Sequence, residues 1–120
     1  MRYLCLIYND ERQLSAMSAY DFEGLVDEMV DYDEELRGSG QVILSDALEP
    51  VRTAVTVRLR EGQVSVTDGP FAETKEQLGG YFLIEARDLN EAIQLAGRIP
   101  AARLGSIEVR PITEGRCRQP

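Results

Sequence analysis

The stretch Arg2-Tyr3-Leu4-Cys5-Leu6-Ile7-Tyr8 decides the fold. Alternate side chains of a strand point to opposite faces, so Tyr3, Cys5 and Ile7 share one face and Leu4, Leu6 and Tyr8 the other. Both faces are apolar, which predicts a strand that has to be covered on two sides. Residues Tyr81-Phe82-Leu83-Ile84-Glu85-Ala86 repeat the pattern, with Glu85 its one polar member.

Working outward, Glu11 to Met17 reads as a short turn of helix. Ser18 with Asp21 forms a capping box for a longer one. Phe22, Leu25, Val26, Met29, Tyr32 and Leu36 recur there at helical spacing, with Glu23, Asp27, Glu28, Asp31, Glu34 and Glu35 opposite, a solvated acidic face. The helix closes at Gly38 or Gly40. Gln41 to Leu48 is a second strand, broken by Glu49-Pro50. Thr53 to Arg60 and Gln63 to Thr67, joined by Glu61-Gly62, form a hairpin with one polar face. A loop runs from Asp68 to Gly80. Asp88 with Glu91 caps a helix through Ala92, Ile93, Leu95, Ala96 and Ile99 that Pro100 stops, and Ser106 to Arg110 is the last strand.

This order gives an α+β fold: a ferredoxin-like antiparallel sheet with two main helices on one face and an added β-hairpin. The helices cover only one face. A second copy of the chain is the simplest cover for the other, so a homodimer through the second face of the sheet is expected. The domain is expected over residues 1–112, with a C-terminal tail at 113–120.

The 120 residues fit one domain, and the hydrophobic share of 43% is that of a globular chain. With 13 basic against 21 acidic residues and a net charge of -8, a role in nucleic-acid binding is not expected, because phosphate contacts need clustered cations. No apolar run is long enough to span a membrane. Met1 to Tyr8 lacks a small-residue cleavage site and reads as a strand, so the expected location is cytoplasmic. Cys5 in a strand and Cys117 in a polar tail do not make a disulfide framework. The chain has no histidine, which excludes Ser-His-Asp and Cys-His machinery and histidine-held metal centres. No metal site and no cofactor are expected, and Gly79-Gly80 lacks the spacing of a phosphate-cradling loop.

Asp68-Gly69-Pro70-Phe71, within Val66-Thr-Asp-Gly-Pro-Phe-Ala-Glu-Thr-Lys-Glu-Gln-Leu-Gly-Gly-Tyr81, resembles the DGPF signature of the YCII-related, or DGPF-domain, family. The likeness extends to the opening Arg2 to Tyr8, to Glu73-Thr-Lys-Glu-Gln-Leu-Gly-Gly80 and to Glu108-Val-Arg-Pro111. It implies a dimeric α/β barrel in which two sheets face each other, and a possible link to extracytoplasmic-function sigma-factor signalling. YciI-type relatives are associated with a His-Asp pair proposed to be catalytic. No position here supplies that histidine, so that activity does not carry over.

As a turn, Asp68 would accept backbone hydrogen bonds, Gly69 would take positive φ, Pro70 would fix the path and Phe71 would anchor the loop in the core. The functional groups that follow, ending in the flexible pair Gly79-Gly80, make the loop a candidate site. Asp68 or Glu73 would be the base and Lys75 would hold an anionic group or polarise a carbonyl. Tyr8, Phe71 and Tyr81 would line the pocket. Arg110 with Glu108 reads as a cross-strand or intersubunit ion pair. The leading expectation is a homodimeric small-molecule-binding domain. The alternatives are a histidine-independent acid-base enzyme on a small anionic or carbonyl metabolite, and a regulatory partner in sigma-factor signalling.

Overall fold

In a computed structural model describing residues 1–120, six strands and three α-helices follow one another in the order β1 (Arg2–Asn9), α1 (Glu11–Ala16), α2 (Ala19–Gly38), β2 (Val42–Ala47), β3 (Val55–Arg60), β4 (Gln63–Asp68), β5 (Gln77–Glu85), α3 (Leu89–Gly97) and β6 (Gly105–Pro111). Strands β2, β5, β1 and β6 form an antiparallel sheet in that order. This is the ferredoxin-like arrangement, with β3 and β4 inserted as a separate hairpin. No helix is long and apolar enough to cross a membrane.

The parity of β1 holds. Tyr3, Cys5 and Ile7 are buried beneath the helices, while Leu4, Leu6 and Tyr8 lie half-buried on the second face. Phe82 and Ile84 of β5 join the first set, and with Leu36, Val42, Ala92, Leu95 and Ile99 they make the core. Fully burying one such aliphatic side chain contributes about 1.5–3 kcal/mol. Polar ties fix the layers. The Tyr32 hydroxyl donates to the Leu95 carbonyl at 2.6 Å, linking α2 to α3, and its ring stacks on Phe82 with centroids 6.3 Å apart. Buried Asn9 donates to Ala101 at 3.2 Å, pinning the 3-10 segment Pro100–Leu104 against β1.

The helix ends behave as their residues dictate. Ser18 Oγ accepts from the Asp21 amide at 3.0 Å and Asp88 Oδ1 from the Glu91 amide at 2.9 Å. Glu91 reaches back to the Arg87 amide at 3.0 Å, one residue beyond a regular capping box. At the other end of α2, Gly40 (φ 77°) donates to Arg37 and Gln41 to Leu36, at 3.1 and 2.8 Å, a Schellman closure.

Three expectations need correction. Of the apolar stripe of α2 only Tyr32 and Leu36 are fully buried; Leu25 and Met29 are partly buried, Met29 against the core, and Phe22 and Val26 stay exposed. Strand β3 starts at Val55, after a 3-10 turn at Val51–Thr53. The loop after β4 ends at Glu76, and Gly79-Gly80 is not a flexible pair: both residues belong to β5, where the register with β1 passes from Ile7–Gly80 to Tyr8–Leu78. Gly79 is the extra residue of a β-bulge, which places Leu78 and Tyr81, three positions apart, on the same face. Gly80 lies against the neighbouring strand, where a Cβ would stand 2.9 Å from the Asp46 carbonyl oxygen.

Two outcomes follow. Gly80→Ala should lower unfolding free energy by roughly 1–3 kcal/mol through backbone overpacking. Gly24→Ala, with open space around its position in α2, should raise it by about 0.5–1 kcal/mol; equal effects in urea titrations would refute the packing argument. Burial also pushes the Cys5 thiol from 9.0 up to about 11. Its neutral form is favoured in the fold, so this stabilisation is complete below pH 9 and lost as pH rises through 11. A thiol reagent at neutral pH should label exposed Cys117 at once and Cys5 only at the rate of unfolding.

Candidate functional site

The Asp68–Phe71 turn closes the base of the hairpin. Gly69 has φ 103°, its amide donates to Ala54 at 2.8 Å, and its carbonyl accepts from Thr56 Oγ1 at 2.8 Å. A residue with a Cβ would be strained at that φ. The chain then turns through Pro70 to Phe71, and here the expected core anchor fails. Phe71 is 81% exposed, because the hairpin stands away from the core and gives the ring nothing of its own chain to pack into.

The ring instead lines a cleft of about 980 Å³ between the hairpin base and the second face of the sheet. Tyr8, Leu48 and Leu78 form its floor, Val55, Val57, Pro70 and Phe71 one wall, and Glu49 and Glu73 contribute carboxylates. Bulge parity is what turns Leu78 into this floor beside Tyr8. The surrounding loops are braced by groups that single-residue reading missed. Gln77 accepts from the Glu11 amide at 2.9 Å and donates to Thr74 at 2.6 Å, and Glu11 accepts from the Val51 amide at 3.0 Å. Glu76 accepts from the Ser106 hydroxyl at 2.8 Å.

Hydroxyls of Thr53 and Thr74 are occupied by the carbonyls of Pro50 and Glu76, at 2.7 and 2.5 Å. The side-chain groups of the cleft without a partner in the chain are therefore the Tyr8 hydroxyl and the carboxylates of Glu49 and Glu73. An apolar basin with one phenol and two acceptor carboxylates suits a compact, largely apolar molecule carrying hydroxyl or amine donors.

Of the sequence candidates, the structure brings Tyr8, Phe71 and Glu73 together in this cleft. Asp68 and Lys75 are exposed and outside its lining, and neither side chain is hydrogen-bonded or ion-paired. Asp68 thus does not accept the backbone bonds expected of it. Tyr81 sits one row away on the sheet face, where its hydroxyl donates to Asp46 Oδ2 at 2.7 Å across the β5–β2 pairing. Arg110 and Glu108 pair along one strand, β6, rather than between strands, since residues two apart share a face. Of the acidic residues of α2, Glu23, Asp27, Asp31 and Glu34 face solvent, Glu28 and Glu35 pair with Arg103 and Arg98, and Asp33 is partly buried, accepting from Ser45 and Arg37.

The hydrogen bond to Asp46 holds the Tyr81 phenol above its ordinary value of 10, aided by partial desolvation and the carboxylate charge. The neutral phenol is the form the fold prefers, so this contribution is full below pH 10 and lost at higher pH. Asp46→Asn should bring the Tyr81 phenolate absorbance in at lower pH, with Tyr81→Phe identifying the band. An unchanged alkaline titration would show that the pair does not hold in solution.

The sequence model of the YCII-related domain matches residues 1–116. An uncharacterized protein of Rhizobium meliloti (strain 1021) is 39% identical over 114 residues, covering 93% of this chain and 92% of that protein. Among solved structures, the chain is similar to 5-chloro-2-hydroxyhydroquinone dehydrochlorinase of Burkholderia phenoliruptrix AC1100 in complex with 2,5-dihydroxybenzoquinone. The TM-score is 0.58, with 96% of each chain covered and 14% identity, a likeness of fold. From its opening strand to the polar tail, the chain belongs to the YCII-related domain family.

Proposed function

We propose that the chain is a small-molecule-binding α/β domain that works as a homodimeric α/β barrel, formed through the second face of the sheet, with its ligand in the cleft beside Phe71. The observation that carries this is the cleft itself: about 980 Å³, floored by Tyr8 and Leu78, with Phe71 projecting into it and Glu49 and Glu73 unpaired. An aromatic ring left 81% exposed has a reason to be there if it stacks on a ligand or a second subunit. The half-buried row Leu4, Leu6, Leu83 on the same face supports the dimer.

A second reading, an acid-base enzyme working without histidine, is favoured by the Tyr81–Asp46 pair one row from the cleft. In this reading the neutral phenol would donate a hydrogen bond to negative charge developing on a ligand, and Glu73 would serve as the base. In this version Lys75 and Asp68 would act only if a second subunit or the ligand brought them in. The solved neighbour of like fold is a dehydrochlorinase, which bears on this reading by analogy of fold alone. A role in sigma-factor signalling rests on the family resemblance without help from any residue.

A thermal-shift screen over small aromatic alcohols, amines and carboxylic acids tests the binding reading. A ligand present at about a hundred times its Kd adds ~2.7 kcal/mol, roughly 10 °C for a domain of this size. Phe71→Ala should leave the unliganded Tm unchanged, since the ring packs on no core, and should abolish most of the shift. No shift from any compound, or a shift indifferent to Phe71→Ala, would sink the assignment of this cleft.

A further inference from the structure

The β3–β4 hairpin makes no backbone pairing with the sheet. Its register places Val55, Val57, Leu59, Val64 and Val66 on one face, with Thr56, Arg58, Ser65 and Thr67 on the other. The five apolar residues are between 59% and 67% exposed. A two-stranded hairpin alone in water is marginal at best, so this one needs a surface to lie on, and its own chain does not offer one.

We infer that the hairpin is a dimerisation arm, whose apolar face packs on a second copy of this chain and thereby completes the cleft at its base. The inference rests on the homodimer proposed above and adds to it the arm and the partner's share of the binding site. Area argues for a second copy. The chain exposes 8657 Å², whereas a compact monomer of this mass exposes about 6,500 Å². The excess, roughly 2,000 Å² per chain and about twice that for a pair, is what an obligate homodimer interface hides. Shape agrees: the chain is a flat body of 47 × 43 × 20 Å, with a radius of gyration of 16.3 Å against about 13.6 Å for a compact domain of its length.

The arrangement is also self-complementary. Val55 and Val57 of the arm share one concavity with Tyr8 and Leu78 of the sheet, so both apolar surfaces open to the same side. A two-fold axis there covers both surfaces of both chains at once. Charge fits as well. Arg58 and Arg60 of the arm have no acidic partner in their own chain, and a second chain of net charge -8 supplies spare carboxylates.

The test compares sedimentation of the full chain with two variants, each checked for folding by circular dichroism. Leu59→Lys with Val64→Lys charges the arm outside the cleft lining; Leu4→Glu with Leu83→Glu charges the sheet face. A dimeric wild type and an arm variant that self-associates at least 100-fold more weakly is the expected result. An arm variant that dimerises like wild type overturns the arm, while loss of the dimer in the sheet-face variant would still uphold the barrel. A wild type that stays monomeric overturns both. Should the arm variant misfold, hydrogen exchange on the wild type decides: amides of residues 55–68 should slow as protein concentration rises, and exchange independent of concentration overturns the inference.

Discussion

Strand β1 is hydrogen-bonded along both edges, to β5 and to β6, and carries apolar side chains on both faces. A backbone paired on both edges cannot be shifted without breaking two ladders, so the register of the whole sheet is set here. The two-sidedness then divides the rest of the molecule. Helices α2 and α3 with the Pro100–Leu104 segment dry one face, closed by Tyr32, Leu95 and Asn9. The other face has no cover within the chain, and the cleft, Phe71 and the Tyr81–Asp46 pair all lie on that side. The proposed binding surface is thus the side of β1 that its own helices do not cover.

Local rules were readable where a residue acts through its own backbone. Ser18, Asp88 and Gly40 fixed the helix ends, Gly69 its positive φ, and alternation in Tyr3 to Tyr8 the two faces of β1. The α+β class and ferredoxin-like order followed from the sequence of elements. What did not follow were facts that depend on pairing between distant segments. Asp46 meets Tyr81 because β2 lies beside β5 in one register, and nothing near either residue announces it. Gln77 with Glu11 is similar, a contact across 66 positions.

The candidate site shows the same limit. Charge marks Asp68, Glu73 and Lys75 as the loop's candidates, yet the groups that brace the loop's backbone are the hydroxyl of Thr74 and the amide of Gln77, while Glu76 is held by the Ser106 hydroxyl. A charged side chain gains most from water and turns outward unless paired, while amides and hydroxyls satisfy the backbone of a tight loop. Tyr8, Phe71 and Glu73 share the lining of one cleft, and each stands out in sequence as an unusual chemical group at a strand end or a turn. Phe71 was given the wrong partner, since sequence does not say whether an apolar side chain is buried by its own chain or is kept for another surface.

The bulge at Gly79 has a consequence for how the chain tolerates change in length. A residue added to the loop between β4 and β5 alters only its slack. Removing Gly79 would only restore plain alternation, with Leu78 still opposite Tyr8 on the cleft floor. Drawing Gly79 into the ladder opposite Tyr8 is what acts as a frameshift in space: everything on its loop side would rotate half a turn about the strand axis, so Leu78 would swing toward the helices and Gln77 would leave the Glu11 amide. The orientation of the whole Asp68–Glu76 segment thus depends on one residue being left out of the ladder, and related chains can lose that residue or vary the loop and still keep the cleft floor.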